Sequence, residues 1–239
     1  MSSAFLTAEW RKLIMANYVI KPELLRSYVP PQTDLDLFEN RCYVTLVGFM
    51  FLDTRVRGWQ IPFHSDFEEV NLRFYVRHCG EAGDWKRGVV FVKEIVPKPA
   101  LSLIANVVYG EHYQTMPMSH RWELNEDGLS VEYQWKSAQW NRLMVRADTT
   151  PVRWSDGSEE EFITEHFWGY TKLNEASTSE YQVEHPAWLV YPVHTYHIDV
   201  DFEEVYGPTF AFLAKQEPKS VYLAEGSGIS VYKGRRVAG

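Results

Sequence analysis

The stretch EEVNLRFYVRHC, residues 68–79, carries the most regular pattern in the chain and is the best guide to its fold. Apolar and mostly polar side chains alternate along it. The apolar set is Val70, Leu72, Phe74 and Val76, and the other set is Glu69, Asn71, Arg73, Tyr75 and Arg77. Successive side chains of a β-strand point to opposite faces, so this period of two predicts a strand with one apolar and one polar face.

Strand-like runs also dominate the rest of the chain. They are rich in β-branched and aromatic residues and are separated by turn-forming residues, which is typical of consecutive antiparallel strands. The predicted strands cover residues 42–52, 68–79, 88–96, 120–124, 129–137, 141–147, 170–173, 179–185 and 188–200, with a final hairpin from residues 221–223 and 228–232. The predicted fold class is therefore α+β, predominantly antiparallel β, with a few short helices.

An opening helix is predicted for residues 7–20, because Trp10, Leu13, Ile14 and Asn17 have near-helical spacing. Prolines in the first turn, a serine N-cap and a terminal glycine mark further short helices. These cover residues 21–26, 99–110 and 158–166.

No internal repeat, low-complexity linker or sharp change of composition divides the chain, so residues 1–239 are predicted to form one domain. The composition, 45% hydrophobic and 23% charged, is ordinary for a globular protein of this length, which can bury a sizeable core. The aromatic fraction of 15% suits the interior of a sheet or a ligand cavity, with core packing as the default role.

Charge and cysteine content exclude several function classes. A formal net charge of −8 argues against a phosphate-binding surface, so no nucleic-acid partner is expected. Cys42 and Cys79 have no metal-ligand spacing and favour a reduced compartment. Charged residues interrupt the first apolar stretch, unlike a signal peptide, and no apolar run approaches the ~20 residues that cross a bilayer. We expect a cytoplasmic protein without a membrane partner.

An ordered series of residues resembles the DUF2071/YqjF family. The series is Glu69-x-Asn71-x-Arg73-x-Tyr75-Val76, Gly88-Val89-Val90-Phe91, Tyr109-Gly110, Tyr113 and Met118, followed by His185-Pro186-Ala187-Trp188. That family is similar to acetoacetate decarboxylase. The resemblance implies a closed, cone-like antiparallel β-barrel with an internal pocket.

The resemblance fails at the catalytic position of the decarboxylases. Those enzymes carry a Phe-Gly-x-Pro-Lys-Lys segment, whose first lysine forms a Schiff base with a keto acid. The corresponding residues 109–114 are YGEHYQ and contain no lysine. Schiff-base chemistry needs a primary amine with a lowered pKa, so it is not expected here. Lys93 and Lys98 precede the predicted helix, and the sequence leaves open whether either side chain turns inward.

The strand face that carries Glu69, Asn71 and Arg73 is the first candidate site. If it lines a pocket, Arg73 could bind a ligand carboxylate through two parallel hydrogen bonds while Glu69 moves a proton. The alternative is a solvent-facing strand on which Glu69 and Arg73 pair across the sheet.

The loop after the predicted 99–110 helix is the second candidate site. His112 and Tyr113 are an acid/base candidate pair, with Glu69 the third candidate catalytic residue. Tyr109, Glu111, His185 and Trp188 join Asn71 and Arg73 as candidate ligand-binding residues. No metal site is predicted, because His194 and His197 are three apart on a strand and neither His166 nor His185 adds a ligand motif.

These observations predict a binding protein for a small organic acid or carbonyl compound, without a cofactor. One alternative is a lysine-independent acid/base enzyme of the lyase or hydrolase type. Another is a structural domain whose barrel is filled by side chains. The expected partner is a small-molecule ligand, and assembly into a homo-oligomer stays open.

Overall fold

The computed structural model describes residues 3–80, 83–99 and 112–238, which fold mainly into antiparallel strands with a few short helices. The strands are β1 (Leu6–Ile20), β2 (Asp34–Leu35), β3 (Cys42–Val56), β4 (Trp59–Gln60), β5 (Phe67–Cys79), β6 (Trp85–Val96), β7 (Tyr113–Thr115), β8 (Met118–Asn125), β9 (Gly128–Lys136), β10 (Trp140–Ala147), β11 (Trp168–Asn174), β12 (Ser177–Glu184), β13 (Val190–Tyr191), β14 (Val193–Asp199), β15 (Ser220–Val231) and β16 (Arg235–Ala238). The α-helices are α1 (Glu159–Thr164) and α2 (Phe202–Tyr206), and 3₁₀ helices cover Pro22–Leu25 and Pro208–Lys215.

The strands form two sheets. The larger has the order β13-β15-β1-β3-β5-β6-β11-β12-β16, and the short strands β2, β4 and β7 pair with β5, β3 and β6, respectively. Strand β12 also pairs with β15, although the two strands lie near opposite ends of this order. The smaller sheet has the order β14-β10-β9-β8.

The smaller sheet packs on one face of the larger sheet. Val131, Tyr133 and Trp135 of β9 join Leu72 and Phe74 of β5 in one buried hydrophobic cluster. A second buried cluster lies on the other face of the larger sheet and is rich in aromatic rings, including Phe49 and Trp188. Strand β5 is therefore buried on both faces, and its Glu69, Asn71 and Arg73 are 2%, 2% and 8% exposed. The alternative of a solvent-facing polar strand is excluded.

The helix predicted for residues 7–20 is wrong, because this segment forms the long strand β1. Lys12 has a left-handed backbone (φ 54°) at an irregularity in the pairing with β3, between Arg11 and Ile14. This bulge lets Trp10 and Leu13 line the same cavity although they are three residues apart. The near-helical spacing arose from a bulge in a strand that is buried on both faces.

The predicted C-terminal hairpin is also wrong, because β15 runs without a turn from Ser220 to Val231. Gly226 has φ 81°, and a Cβ atom there would lie 2.0 Å from the carbonyl oxygen of Trp10. The glycine is needed for close approach to β1 rather than for a turn.

The strand predicted for residues 188–200 is divided at Pro192. Strand β13, before it, pairs with β15 of the larger sheet, and β14, after it, pairs with β10 of the smaller sheet. The chain changes sheets at this point, so one periodic run contributes to two sheets.

Most other predicted elements are confirmed with small shifts in their bounds. They include the strands at residues 42–52, 68–79, 88–96, 120–124, 129–137, 141–147, 170–173 and 179–185, the short helix after Lys21, and α1 with Ser158 as its N-cap. Beyond its first residue, the helix predicted for residues 99–110 lies outside the described residues. Helix α2 and the 3₁₀ helix Pro208–Lys215 were not predicted. In the described ranges, no helix has the length and apolar character that crossing a membrane requires.

The parallel contact between β6 and β11 leaves no room for a side chain at Gly88. A Cβ atom there would lie 2.6 Å from the Trp168 carbonyl oxygen and 2.6 Å from the Tyr170 ring. We expect Gly88→Ala to lower the free energy of unfolding by about 1–3 kcal/mol through overpacking. Urea unfolding should reveal the loss. Gly228→Ala is the control, because its Cβ would meet only the flexible end of Glu9. Equal stability of the two variants would contradict the packing of this seam.

Candidate functional site

A cavity of about 140 Å³ lies against the polar face of β5. Aromatic side chains form much of its described wall, and Trp10 contacts the rings of Phe49, Phe51 and Trp188 with centroid distances of 5.4, 5.7 and 6.3 Å. Its polar lining residues are Thr54, Glu69, Asn71, Arg73, Glu94, Tyr113, Thr164, His166, Tyr181 and His185. The cavity therefore combines a mainly apolar wall with a small group of buried polar residues.

Two buried carboxyl groups and a phenol occupy one part of the wall. Glu69 accepts hydrogen bonds from Asn71 Nδ2 at 3.0 Å and from the Tyr113 hydroxyl at 3.2 Å. Glu94 is 2% exposed, and it interacts with the same phenol. Strands β5 and β6 pair Asn71 with Glu94, and β6 pairs with β7 at Glu94 and Tyr113. Three neighbouring strands thus bring these groups together.

Burial controls the protonation of this group. It raises the pKa of Glu69 to about 7, although Asn71, Tyr113 and Arg73 act in the opposite direction. Burial and the nearby charges of Glu69 and Glu94 raise the pKa of Tyr113 well above its usual value. The phenol therefore stays a hydrogen-bond donor, while Glu69 can gain or lose a proton near neutral pH.

A cationic group and an imidazole occupy another part of the wall. Arg73 donates to the backbone carbonyl of Ile163 at 3.4 Å, and its Nε has no hydrogen-bond partner within the described part of the chain. Its guanidinium carbon lies 5.8 Å from the centre of the Tyr75 ring. Arg73 therefore retains donor capacity beside the cavity.

His166 reaches the cavity just after α1 and is held from behind by an acidic residue. Its Nε2 lies 3.3 Å from Asp36 Oδ2, and Asp36 also accepts from Arg87 Nε at 2.6 Å. Burial lowers the pKa of His166 to about 4, so the ring is neutral at pH 7. Burial acts to raise the pKa of Asp36, but the hydrogen bonds from His166 and Arg87 lower it overall, which keeps the carboxylate charged.

The structure brings most of the predicted site residues to one cavity. Glu69, Asn71, Arg73, Tyr113, His185 and Trp188 all line it. His185 stacks on Trp188 with ring centroids 4.2 Å apart. His112 is exposed, and its backbone carbonyl accepts from the Glu94 amide. Tyr109 and Glu111 lie outside the described residues. The roles assigned to these residues remain predictions.

All ten lysines of the sequence fall within the described ranges, and none is among the residues that line the cavity there. Lys93 precedes the cavity-lining Glu94 on β6, so the two side chains point to opposite faces of the strand. The Lys93 amine donates to the carbonyl of Val205 on α2. Lys98 is close enough to Glu68 to lower the pKa of that carboxyl group, outside the cavity wall. Neither lysine turns inward.

Sequence reasoning missed Glu94, His166 and Asp36. Glu94 could have been recognised from the sequence, since it is a charged residue within a predicted apolar strand. A charge is costly to bury there unless it has a role. His166 had none, because its partner Asp36 is 130 residues away in the chain. No group of three or more potential metal-ligating side chains occurs in residues 3–80, 83–99 and 112–238.

Comparisons with known proteins agree on a family and a fold. The family model of DUF2071, described as an uncharacterized conserved protein, matches residues 7–228. The uncharacterized protein YqjF of Bacillus subtilis (strain 168) is 31% identical over 75 residues, which are 31% of this chain and 31% of YqjF. The match thus spans under a third of that relative.

Several solved structures share the fold at low sequence identity. Acetoacetate decarboxylase from Legionella pneumophila is 12% identical with a TM-score of 0.66, covering 99% of this chain and 88% of its own. An acetoacetate decarboxylase-like enzyme from Sphingomonas wittichii RW1 has the same identity and TM-score, with coverages of 100% and 94%. The enduracididine biosynthesis enzyme MppR, complexed with pyruvate, is 12% identical with a TM-score of 0.65 and coverages of 99% and 91%. This likeness establishes an acetoacetate decarboxylase-like fold.

The buried state of Glu69 predicts a specific pH dependence of stability. The pKa of this carboxyl group rises from its ordinary value of 4.5 to about 7 on folding, so between these values the folded state binds more protons than the unfolded state. Its contribution to stability is therefore lost as the pH rises. We expect Glu69→Gln to gain at least about 1 kcal/mol over wild type between pH 4.5 and pH 8, as measured by urea unfolding.

Glu126→Gln, in the exposed turn between β8 and β9, controls for the loss of one negative charge. A constant difference between Glu69→Gln and wild type across this pH range would contradict the buried, proton-binding state of Glu69.

Proposed function

The chain belongs to the DUF2071 family, and from this premise we propose that its internal cavity binds a small organic acid or carbonyl compound without forming a Schiff base. The observation that carries the proposal is Arg73, a 92% buried cation at the cavity wall whose Nε has no partner among the described residues. A buried guanidinium with spare donors is costly unless a group of opposite charge or an acceptor meets it.

The geometry of Arg73 suits a carboxylate. Its planar fork can donate two parallel hydrogen bonds, and the low local dielectric inside the protein strengthens them. Asn71 Oδ1 is also buried at the wall without a described partner, and it can accept from a ligand or from a bound water. The aromatic wall around Trp10 then suits an apolar substituent of the ligand.

Two structural neighbours support the same ligand class. One is named an acetoacetate decarboxylase, and another was solved with pyruvate bound. Both names refer to small acids that carry a carbonyl group. The shared fold alone does not transfer a ligand, and the buried cation is the feature of this chain that favours one.

We infer further that the larger sheet closes into a barrel around the cavity. The pairing of Val183 with Val231 and of Glu184 with Ser230 joins β12 to β15. Since β15 also pairs with β1, these contacts would complete a ring through β3, β5, β6 and β11. A closed ring would keep the polar face of β5 away from water.

A barrel filled by side chains is the weaker alternative. A space of roughly 10–15 Å³ holds one water molecule, and this cavity measures about 140 Å³. Such a volume accommodates a small organic acid with no rearrangement of the core.

An acid/base enzyme is a second candidate function. The Tyr113 hydroxyl lies 3.2 Å from Glu69 Oε2, and the pKa of Glu69 near 7 suits a group that transfers protons at neutral pH. His112, the other predicted base, is exposed and is not among the described lining residues. Product analysis of incubated ligands would separate an enzyme from a binding protein.

Removing the buried cation should abolish recognition of acids. We expect Arg73→Met to weaken binding of those acids that the wild type binds, from a panel of pyruvate, acetoacetate, 3-methylbutanoate and 2-hydroxy-3-methylbutanoate, at least about tenfold, as measured by calorimetry, because the carboxylate loses its charged partner. Arg77→Met is the matched control, since Arg77 follows on the same strand but is exposed. The proposal fails if the wild type binds none of these acids, or if both variants bind them as the wild type does.

Incubation with acetoacetate and borohydride should leave the protein mass unchanged. A Schiff base forms only where a lysine amine meets the carbonyl, and no lysine lines the described cavity. Intact-protein mass spectrometry checks this. A stoichiometric adduct that maps to Lys93 or Lys98 would overturn the non-covalent binding mode.

A further inference from the structure

The Nδ1 atom of His166 is an unused hydrogen-bonding group at the cavity. His166 is 8% exposed and lines the cavity, and Nδ1 is buried without a hydrogen-bond partner among the described residues. Burying an imidazole nitrogen without a partner costs free energy, and such groups are rare in folded proteins. A group that is absent from the protein itself can supply the partner.

Asp36 determines what kind of partner Nδ1 needs. A charged carboxylate accepts hydrogen bonds only, so Nε2 must carry the proton that it shares with Asp36. Turning the ring over would place a carbon atom against Asp36 and lose this bond. In the neutral ring Nδ1 then bears a lone pair and can only accept. The missing partner is therefore a donor, such as a hydroxyl group.

The donor must lie close to the group that Arg73 binds. Tyr75 connects the two, because the His166 ring lies 4.6 Å from the Tyr75 ring, which the Arg73 guanidinium also contacts. Arg73 also donates to the carbonyl of Ile163, three residues before His166. A carboxylate at Arg73 and a hydroxyl at His166 would thus belong to one small ligand.

We propose that the ligand of this cavity is a 2- or 3-hydroxy acid with an apolar substituent, whose hydroxyl group donates to Nδ1 of His166. This inference rests on the proposed function and narrows its ligand class. The hydroxyl oxygen can in turn accept a hydrogen bond from Arg73. The apolar substituent extends along the aromatic wall formed by Trp10, Phe49 and Phe51.

A carbonyl group at the same position would fit less well. Its oxygen has lone pairs but no proton, so it would face the lone pair of Nδ1 and leave that atom without a partner. The corresponding acid without an oxygen substituent would avoid this repulsion but gain no bond. The expected order of affinity is therefore hydroxy acid, then unsubstituted acid, then oxo acid.

Four acids that differ only at the second carbon test this order. They are each enantiomer of 2-hydroxy-3-methylbutanoate, then 3-methylbutanoate and 3-methyl-2-oxobutanoate. We expect the wild-type chain to bind one hydroxy enantiomer about tenfold more tightly than 3-methylbutanoate, as measured by calorimetry. If the hydroxyl group belongs on the third carbon, 3-hydroxybutanoate is expected to bind most tightly, butanoate less tightly and acetoacetate least.

His166→Gln isolates the role of Nδ1. The glutamine amide can still donate to Asp36 but has no group in place of Nδ1, so the preference for the hydroxy acid over 3-methylbutanoate should vanish. His194→Gln is the matched control. His194 forms a similar pair with Asp148 at 2.6 Å, but it is exposed on the smaller sheet. The unfolding midpoint of each variant confirms that it folds.

The outcomes separate this inference from the proposed function. Acids that bind through Arg73 without a hydroxyl preference, or with one that survives in His166→Gln, would overturn the hydroxy-acid inference alone. If no acid binds to the wild-type chain, both fail. A preference that is lost only in His166→Gln supports both.

Discussion

A row of polar side chains buried inside a sheet is the constraint on which the rest of the structure depends. Glu69, Asn71 and Arg73 leave water on a strand whose opposite face is packed against the smaller sheet. Each must find partners within the protein or in the cavity, because an unpaired buried charge costs several kcal/mol. Tyr113 meets part of this need by donating a hydrogen bond to Glu69.

The same constraint explains a segment that is distant in sequence. Helix α1 has only six residues, yet its start is anchored firmly, since Glu159 accepts hydrogen bonds from Tyr43, Ser220 and Tyr222. Its end supplies the Ile163 carbonyl to Arg73 and leads to His166. A short helix that would be unstable alone is thereby held at the polar row. Packing and capping thus position part of the cavity wall.

Local patterns were reliable where a strand has one kind of residue on each face. The alternation in β5 predicted both its structure and the side on which Glu69 and Arg73 lie. The pattern failed in β1, where burial on both faces and the bulge at Lys12 imitated helical spacing. The predicted C-terminal hairpin failed at Gly226, which lies in close contact with β1. Glycine is typical both of a turn and of a close contact between strands, so the sequence could not distinguish the two. The pairing of His166 with Asp36 depends on the complete fold, and no local pattern could indicate it.

The presence of Arg73, and of no lysine, among the described lining residues determines how this cavity could hold a ligand. Lysine becomes a nucleophile when burial lowers its pKa, whereas arginine keeps its charge and cannot attack a carbonyl carbon. Lys93 donates to the carbonyl of Val205, while Arg73 lines the cavity. Under the proposed function, this cavity would then hold an acid by charge and hydrogen bonds. Glu69, with its pKa near 7, is the group at this cavity suited to proton transfer near neutral pH.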